Sequence, residues 1–253
     1  MTAGVRKPGD FCWINMITPA PDGARDFFGT LLGWTFFEMP GVGHGIKVGG
    51  VDVGGVYDIA APGAPPTRPY IGTMVKVANA DATVKKVVAL GGKGNAMDLF
   101  DRLRMANCTD PLDARFDGWE DKKARGTEVD TTAHGAPGWF EMLTPDVPRS
   151  TKFYSELFGW TPKRDTSTGM DYTSFSNQGE PVAGMMQITP EMGAMPAQWL
   201  TYFTVNDVDA AARDVVKLGG KITMKTKVAT DVGRFCCAVS PQGVMFYLIT
   251  YQD

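Results

Sequence analysis

One acidic residue stands in a sequence context that suits acid–base chemistry. Glu141 lies in the apolar segment Trp139–Leu143, with an aromatic residue on one side and methionine on the other. A carboxyl group that such neighbours shield from water has a raised pKa and can act as a general base. The alternative is a structural role, in which Glu141 pairs with Arg164, Arg234 or a backbone N–H group.

Residue types that bind transition metals are scarce. The chain has two histidines, and we expect both His44, in a glycine-rich stretch, and His134, in a polar stretch, to lie at the surface. A metal site needs three or four converging nitrogen, oxygen or sulfur ligands. The four cysteines lack C-x-x-C spacing, and we expect buried, reduced thiols at Cys12, Cys108, Cys236 and Cys237.

The composition argues against several classes of partner. The 253 residues carry a net charge of −3, so we expect neither nucleic acid nor an anionic membrane surface as a partner. No apolar run is long enough to cross a bilayer, and the first ten residues lack the apolar core of a secretory signal. The sequence therefore favours a cytoplasmic protein that takes a small molecule.

The strongest pattern in the chain is an internal repeat. The segment Trp13–Trp34 (WINMITPAPDGARDFFGTLLGW) aligns with Trp139–Trp160 (WFEMLTPDVPRSTKFYSELFGW), and later ALGGK aligns with KLGGK. Such collinear similarity indicates two homologous domains. We place them at residues 8–120 and 137–253, joined by a polar linker over 121–136 that lacks apolar periodicity.

Each half is itself doubled. The apolar periodicity predicts helices over 22–32 and 148–158, each ended by a glycine, and second helices over 80–90 and 209–218. Short strands precede and follow every helix. The pattern predicts an α+β fold of four β-α-β-β-β units, two in each domain.

Two motifs carry a family resemblance. The first helix of each half closes with FFGTLLGW or FYSELFGW, and residues 233–246 read GRFCCAVSPQGVMF. With the four units, these motifs resemble the vicinal oxygen chelate superfamily, which includes glyoxalases, bleomycin-resistance proteins and extradiol dioxygenases, and they are most similar to its tandem glyoxalase-like members. The resemblance implies two domains with curled, open mixed sheets around a cavity. It does not fix the function, because one fold serves many chemistries.

The resemblance also implies where metal ligands would stand, on the first and last strands of each unit. The first-strand positions correspond to Trp13, Gly72, Trp139 and Leu200. The last-strand positions correspond to Asp117 and Tyr247, with two more near Gly54 and Val182. Since most of these residues cannot bind a metal ion, we expect no cofactor and neither glyoxalase I nor extradiol dioxygenase activity.

Strand alternation then assigns a lining to each cavity. If Trp139 faces the cavity, Glu141 does so too, while Phe140 and Met142 pack against the helices. We expect the ligand-binding side chains to be Trp13, Asn15, Met74, Asp117, Trp139, Glu141, Leu200, Tyr202 and Tyr247. An alternative for Asp117 is a solvated position on an edge strand.

Three functions remain open. The first is metal-free binding of a small hydrophobic or aromatic molecule, which suits an apolar cavity with few polar groups. The second is catalysis, either by a metal-independent lyase or isomerase with Glu141 as general base or by another enzyme type of this superfamily, such as an oxygenase. The third is partner binding through an exposed sheet. Either a monomer or a homodimer is compatible with the sequence.

Overall fold

The computed structural model describes residues 4–60, 68–166 and 171–252. The first half contains β1 (Phe11–Thr18), α1 (Pro21–Leu32), β2 (Thr35–Met39), β3 (Gly43–Val48), β4 (Val51–Asp58), β5 (Tyr70–Lys76), α2 (Ala80–Ala89), β6 (Lys93–Leu99), β7 (Leu103–Thr109) and β8 (Arg115–Asp121). The second half contains β9 (Pro137–Thr144), α3 (Val147–Phe158), β10 (Thr161–Asp165), β11 (Tyr172–Asn177), β12 (Glu180–Gln187), a 3-10 turn (Pro190–Met192), β13 (Gln198–Thr204), α4 (Val208–Lys217), β14 (Lys221–Ala229), β15 (Gly233–Val239) and β16 (Met245–Tyr251).

Each half forms one mixed sheet of eight strands. The strand order is β2-β3-β4-β1-β5-β8-β7-β6 in the first sheet and β10-β11-β12-β9-β13-β16-β15-β14 in the second. In the first sheet, β1 pairs in parallel with β4 and antiparallel with β5, and β5 pairs in parallel with β8. The second sheet repeats these pairings. The predicted α+β fold of four β-α-β-β-β units with open mixed sheets is confirmed.

The first helix of each half begins and ends where its sequence dictates. The Asp146 side chain accepts a hydrogen bond from Arg149 N and caps α3, and Pro148 occupies the first turn, where a missing N–H costs nothing. Gly159 ends α3 and Gly33 ends α1, both in the left-handed conformation, with φ of 74° and 67°. Glycine adopts this conformation without a steric penalty.

The two halves share one hydrophobic core. The rings of Phe11 on β1 and Phe140 on β9 stack with centroids 4.0 Å apart. Helix α1 packs across the boundary, since its Phe28 contacts Phe203 on β13 and Phe246 on β16. Residues of both halves therefore belong to a single cluster of buried side chains.

Two tryptophans hold the halves together by hydrogen bonds. Trp34 Nε1 donates to the carbonyl of Gly135 at 2.7 Å, and Trp160 Nε1 donates to the carbonyl of Gly9 at 2.9 Å. Both indoles are buried, as expected for the repeated tryptophan that follows each first helix.

The segment predicted as a linker packs into the structure. Residues 122–136 form no helix or strand, but Val129 and Ala136 are buried. Arg6 donates to the carbonyl of Val129, and Thr204 Oγ1 donates to the carbonyl of Thr131 at 2.6 Å. The segment is irregular, and it is a packed part of the boundary between the halves.

The four cysteines are buried free thiols, as predicted. Within residues 4–60, 68–166 and 171–252, none of the helices has the length and apolar character that crossing a membrane would require.

Candidate functional site

The central strands of each sheet align a small set of side chains in register. In the second sheet, Glu141 on β9 lies opposite Leu200 on β13 and Gly184 on β12, and Tyr202 pairs with Tyr247 on β16. In the first sheet, Asn15 takes the position of Glu141 and lies opposite Gly72 and Gly55. Met74 and Asp117 form the pair that corresponds to Tyr202 and Tyr247. The metal-ligand positions that the sequence predicts near Gly54 and Val182 therefore correspond to Gly55 and Gly184. The difference arises because loops of unequal length shift the alignment of the repeats by one or two residues.

The predicted alternation of β9 is observed. Phe140 and Met142 join the core that includes the helices, whereas Glu141 hydrogen-bonds to Tyr202 on the other side of the sheet. We call this other side, which lies away from the helices, the open face of each sheet. In the second sheet, Tyr202 and Tyr247 stack on the open face with centroids 4.4 Å apart.

Among the described residues, Glu141 is a buried carboxyl group without a cationic partner. Its side chain is 5% exposed and accepts a 2.9 Å hydrogen bond from the hydroxyl of Tyr202. Burial raises the pKa of Glu141 to about 7, although hydrogen bonds from Tyr202 and Tyr172 act in the opposite direction.

The ion-pair alternative for Glu141 is wrong. Arg164 binds Asp171, with its Nε 2.7 Å from Oδ1, and Arg234 binds Asp209 at 2.7 Å. Both arginines are thus engaged elsewhere. A carboxyl group that is desolvated and held only by neutral hydroxyl groups can exchange a proton near neutral pH.

Tyr172 is a site residue that the sequence analysis missed. Its hydroxyl accepts a hydrogen bond from Trp139 Nε1 at 3.1 Å and also hydrogen-bonds to Glu141. It occupies the space beside Gly184, where an added Cβ would lie 1.7 Å from the hydroxyl oxygen. A glycine level with Glu141 was the available signal, since glycine in a strand marks a close approach by another group.

The first half reaches a similar arrangement with a tyrosine from another strand. The hydroxyl of Tyr57, on β4, lies 2.4 Å from the Cβ position of Gly55 and near enough to Trp13 for that side chain to lower its pKa, although burial raises it more. In both halves, a neutral tyrosine hydroxyl therefore occupies the space that a side chain would need at Gly55 or Gly184, on the last strand of the first unit.

Asp117 is the corresponding carboxyl group of the first half. It lies on β8, which pairs with β5 and β7, so the expectation of a solvated edge-strand residue is wrong. Burial of the carboxyl group raises the pKa of Asp117 to about 7. A hydrogen bond from Asn15 and the charge of Arg115 act in the opposite direction and lower it by less. Its side chain remains partly exposed toward the open face. Asp117 is equivalent to Tyr247, and Asn15 to Glu141, so the halves carry their carboxyl groups on different strands.

Two cavities lie on the open face of the first sheet. The larger has a volume of about 800 Å³, and the residues that line it include Ile17, His44, Tyr57, Tyr70 and Arg115. The smaller has a volume of about 390 Å³, and its lining includes Trp13, Asp52, Arg102, Trp119 and Arg125. Along β1 and β8, the partly exposed pair Asn15 and Asp117 separates the two cavities.

The remaining predicted residues lie at or beneath these sites. Trp13 and Met74 form a buried cluster with Trp119, and Leu200 is buried beside Glu141. His44 belongs to β3 and lines the larger cavity, so it is not a loop residue as expected. His134 is exposed, as expected, and accepts a hydrogen bond from the backbone N–H of Asn206 at 3.3 Å.

The side chains on the open faces do not fit a divalent metal ion. In the described parts of the chain, no three His, Cys, Asp or Glu residues are grouped to hold one. The buried carboxyl groups of Glu141 and Asp117 stand apart, one in each half, among phenol, indole, amide and thioether groups. Burial keeps the Tyr172 and Tyr202 hydroxyls protonated by raising the pKa of both, so these phenols do not supply anionic ligands.

Comparison with known proteins identifies relatives over the whole chain. The model of the Glyoxalase/Bleomycin resistance protein/Dioxygenase superfamily matches residues 136–248. "Putative glyoxylase CFP32" of Mycobacterium tuberculosis is 32% identical over 255 residues, covering 94% of this chain and 93% of the relative. "Anthracycline biosynthesis protein DnrV" of Streptomyces peucetius is 37% identical over 127 residues, covering 45% of this chain and 46% of the relative.

Solved structures show the same fold at low sequence identity. The Mn(II)-bound glyoxalase from Novosphingobium aromaticivorans superposes with a TM-score of 0.67 at 14% identity, covering all of this chain and 84% of that one. The halotolerant catechol dioxygenase BphC superposes with a TM-score of 0.65 at 15% identity, covering 97% of this chain and 88% of that one.

Proposed function

Since the chain belongs to the Glyoxalase/Bleomycin resistance protein/Dioxygenase superfamily, we propose that it binds a small, flat, partly aromatic molecule without a metal ion. The observation that carries this proposal is the cavity of about 800 Å³ on the open face of the first sheet. Pockets for small ligands are of this size and combine apolar walls with a few polar groups.

The larger cavity combines aromatic and apolar walls with three charged side chains, those of Asp22, Asp58 and Arg115. Tyr57 and Tyr70 line it, and the guanidinium of Arg115 lies 6.0 Å from the centroid of the Tyr70 ring. A flat ligand ring can stack on such a tyrosine, and aromatic pairs contribute about 0.5–1.5 kcal/mol beyond the burial of their surface. The ring of Tyr70 is therefore our candidate platform for the ligand.

The polar pair at the edge of this cavity can fix the orientation of the ligand. Asn15 and Asp117 hydrogen-bond to each other and are both partly exposed. Because the pKa of Asp117 is raised to about 7, a large fraction of its carboxyl groups carries a proton at neutral pH. A protonated carboxyl can donate a hydrogen bond to a ligand carbonyl, and an ionised one can accept from a hydroxyl.

Two considerations support a flat ligand bound without metal. Within the described ranges, no three His, Cys, Asp or Glu side chains are grouped to hold a metal ion, which leaves stacking and hydrogen bonding to hold the ligand. The Streptomyces relative DnrV carries the name anthracycline biosynthesis protein, and an anthracycline is a planar fused-ring molecule. That similarity covers about half of the chain, so an anthracycline serves here as a probe of shape.

Binding is tested with chelator-treated protein. We expect a fluorescent anthracycline to bind saturably, with the same affinity before and after addition of Mn²⁺ or Zn²⁺. Tyr70→Ala should weaken binding at least tenfold, whereas Tyr70→Phe, which keeps the ring, should bind like the parent protein. Binding that requires a metal ion, or an affinity that Tyr70→Ala leaves unchanged, would contradict the proposal.

A second candidate function is general-base catalysis in the second half. It is favoured by one observation, the buried carboxyl of Glu141 held between the hydroxyls of Tyr202 and Tyr172. The ionised carboxylate would remove a proton from carbon or oxygen in a metal-independent lyase or isomerase reaction. Glu141→Gln should abolish any such turnover and Asp117→Asn should preserve it; turnover that survives Glu141→Gln would exclude this role.

A further inference from the structure

The smaller cavity of the first half has a cationic lining. Arg102, Lys123 and Arg125 face one acidic residue, Asp52. Asp52 is already engaged, because Lys47 Nζ lies 2.5 Å from its Oδ1, and Lys123 pairs with Asp101. Across the described ranges, no carboxylate lies within ion-pair distance of Arg102 or Arg125. Two guanidinium groups at one cavity therefore lack an anionic partner.

The two tryptophans of this cavity form its buried base. Trp13 and Trp119 contact each other with ring centroids 5.3 Å apart and are at most 7% exposed. The N–H group of Trp119 is occupied, since its Nε1 donates to Asp121 at 2.9 Å. The charged donors that the cavity can still offer a ligand are therefore the guanidinium N–H groups of Arg102 and Arg125.

The small cavity and the large one belong to one continuous strip. On β1, Trp13 lines the small cavity and Ile17 the large one, and on β8, Trp119 and Arg115 do the same. At about 3.3 Å per residue, four residues along a strand span about 13 Å. A flat molecule of three or four fused rings can cover this length.

The two ends of the strip differ in charge. The large cavity contains the carboxylates of Asp22 and Asp58 beside Arg115, whereas cations dominate the small one. Arg102 also lies near enough to Tyr57 for its charge to lower the pKa of that hydroxyl, although burial raises the pKa more strongly. The charge of Arg102 thus acts on the part of the strip between the two cavities. An elongated ligand with one anionic end therefore fits with that end in the small cavity and its other end in the large one.

We propose that Arg102 and Arg125 bind an anionic group at one end of the ligand, so that the ligand is a planar aromatic acid rather than a neutral aromatic. Guanidinium groups bind carboxylates through paired, charge-assisted hydrogen bonds. The inference rests on the proposed function, because it places the aromatic body of the same ligand over Asn15 and Asp117, toward Tyr70.

A matched pair of probes separates the two proposals. We would measure binding of anthraquinone-2-carboxylate and of its uncharged methyl ester to the full chain by quenching of tryptophan fluorescence. We expect the acid to bind at least tenfold more tightly than the ester at low ionic strength, with the difference shrinking as salt is added. Equal affinities would overturn the anion site and leave the proposed function standing, whereas absence of binding by both probes would overturn both.

Variants test the two arginines directly. Arg102→Gln and Arg125→Gln should each weaken binding of the acid about fivefold to tenfold and leave the ester unchanged. Arg213→Gln, which removes the same charge from an exposed position on α4, should leave both affinities unchanged. The three side chains are exposed, so urea unfolding should show retained stability. The assignment would be overturned if Arg102→Gln and Arg125→Gln weakened binding of the ester as much as binding of the acid. It would also be overturned if Arg213→Gln weakened binding of the acid.

Discussion

The hydroxyl of Tyr172 occupies the space that any side chain at position 184 would need. A Cβ on Gly184 would lie 1.7 Å from that oxygen, and the same hydroxyl accepts a hydrogen bond from Trp139 Nε1. The position on β12 that lies level with Glu141 thus contributes no side chain to the site. A neutral phenol from β11 takes its place beside Glu141, which is why this half presents a desolvated acid rather than a set of metal ligands.

Gly184→Ala should displace the Tyr172 ring and break its hydrogen bonds to Trp139 and Glu141. We expect a loss of about 1–3 kcal/mol in the free energy of unfolding, the cost of leaving a buried polar group without a partner. The same substitution in a Tyr172→Ala background should cost less, because the clash is gone. Urea unfolding of the four proteins measures this coupling, and additive effects would show that Tyr172 does not occupy the space at Gly184.

Glu141→Gln should change how stability depends on pH. The pKa of Glu141 rises from 4.5 to about 7 on folding, so between these values the folded chain holds a proton that the unfolded chain has lost. The contribution of Glu141 to stability is therefore greatest below pH 4.5 and falls as pH rises toward 7, by about 3 kcal/mol at 1.36 kcal/mol per pKa unit. Urea unfolding should show a smaller decline between pH 5 and 8 in Glu141→Gln, and an unchanged decline would contradict the raised pKa.

Asp117→Asn should act in the same direction in the other half. The pKa of Asp117 rises from 3.8 to about 7, so its ionisation also opposes folding as pH rises. We expect the variant to show a smaller decline in stability over this window, since Glu141 still titrates, and to bind a flat ligand with an affinity that no longer changes between pH 6 and 8. Isothermal titration at the two pH values checks this, with Glu141→Gln as the control that keeps the pH dependence of binding.

The shared core predicts that the halves unfold together. Phe140 stacks on Phe11 across the boundary and is buried. Phe140→Ala should therefore cost about 3–5 kcal/mol and shift one common transition, while Val228→Ala at a position 72% exposed should change stability by less than about 0.5 kcal/mol. Denaturation followed by tryptophan fluorescence and by circular dichroism should coincide; two separate transitions would indicate independent domains at the boundaries predicted from the repeat.

The cysteines should be unreactive in the folded chain. All four are buried, and burial raises the pKa of Cys108 and of Cys236 to about 12, which suppresses the reactive thiolate. We expect a thiol-directed reagent such as dithionitrobenzoate to label none of them in buffer and all of them in denaturant. Rapid labelling of the native protein would place at least one thiol at the surface.

The repeat and the helix-ending glycines predicted most of the fold, because they report local geometry. The helix expected over 148–158 is observed as Val147–Phe158, and the helix expected over 209–218 as Val208–Lys217. Alternation also placed Glu141 and Tyr202 on one face. These inferences needed only the period of the pattern and the conformation that each glycine permits.

The site itself depended on pairings that a single strand does not encode. Tyr172 reaches Glu141 from β11, two strands away in the sheet order, and Arg102 comes to the Trp13 cavity from the turn before β7. Asp117 appeared to be an edge residue because the sequence does not reveal that β7 and β6 lie beyond β8. The packed segment 122–136 was unpredictable for a related reason, since its partners, such as Thr204, lie far away along the chain.

The central claim is that the open face of the first sheet binds a flat aromatic ligand without a metal ion. The most direct measurement is isothermal titration of chelator-treated protein with anthraquinone-2-carboxylate, with and without stoichiometric Mn²⁺, alongside metal analysis of the dialysed protein. We predict saturable one-to-one binding that is identical in the two titrations, weakened by Tyr70→Ala, with no metal retained after dialysis. Binding that appears only with Mn²⁺, or tight stoichiometric metal in the dialysed protein, would contradict the account.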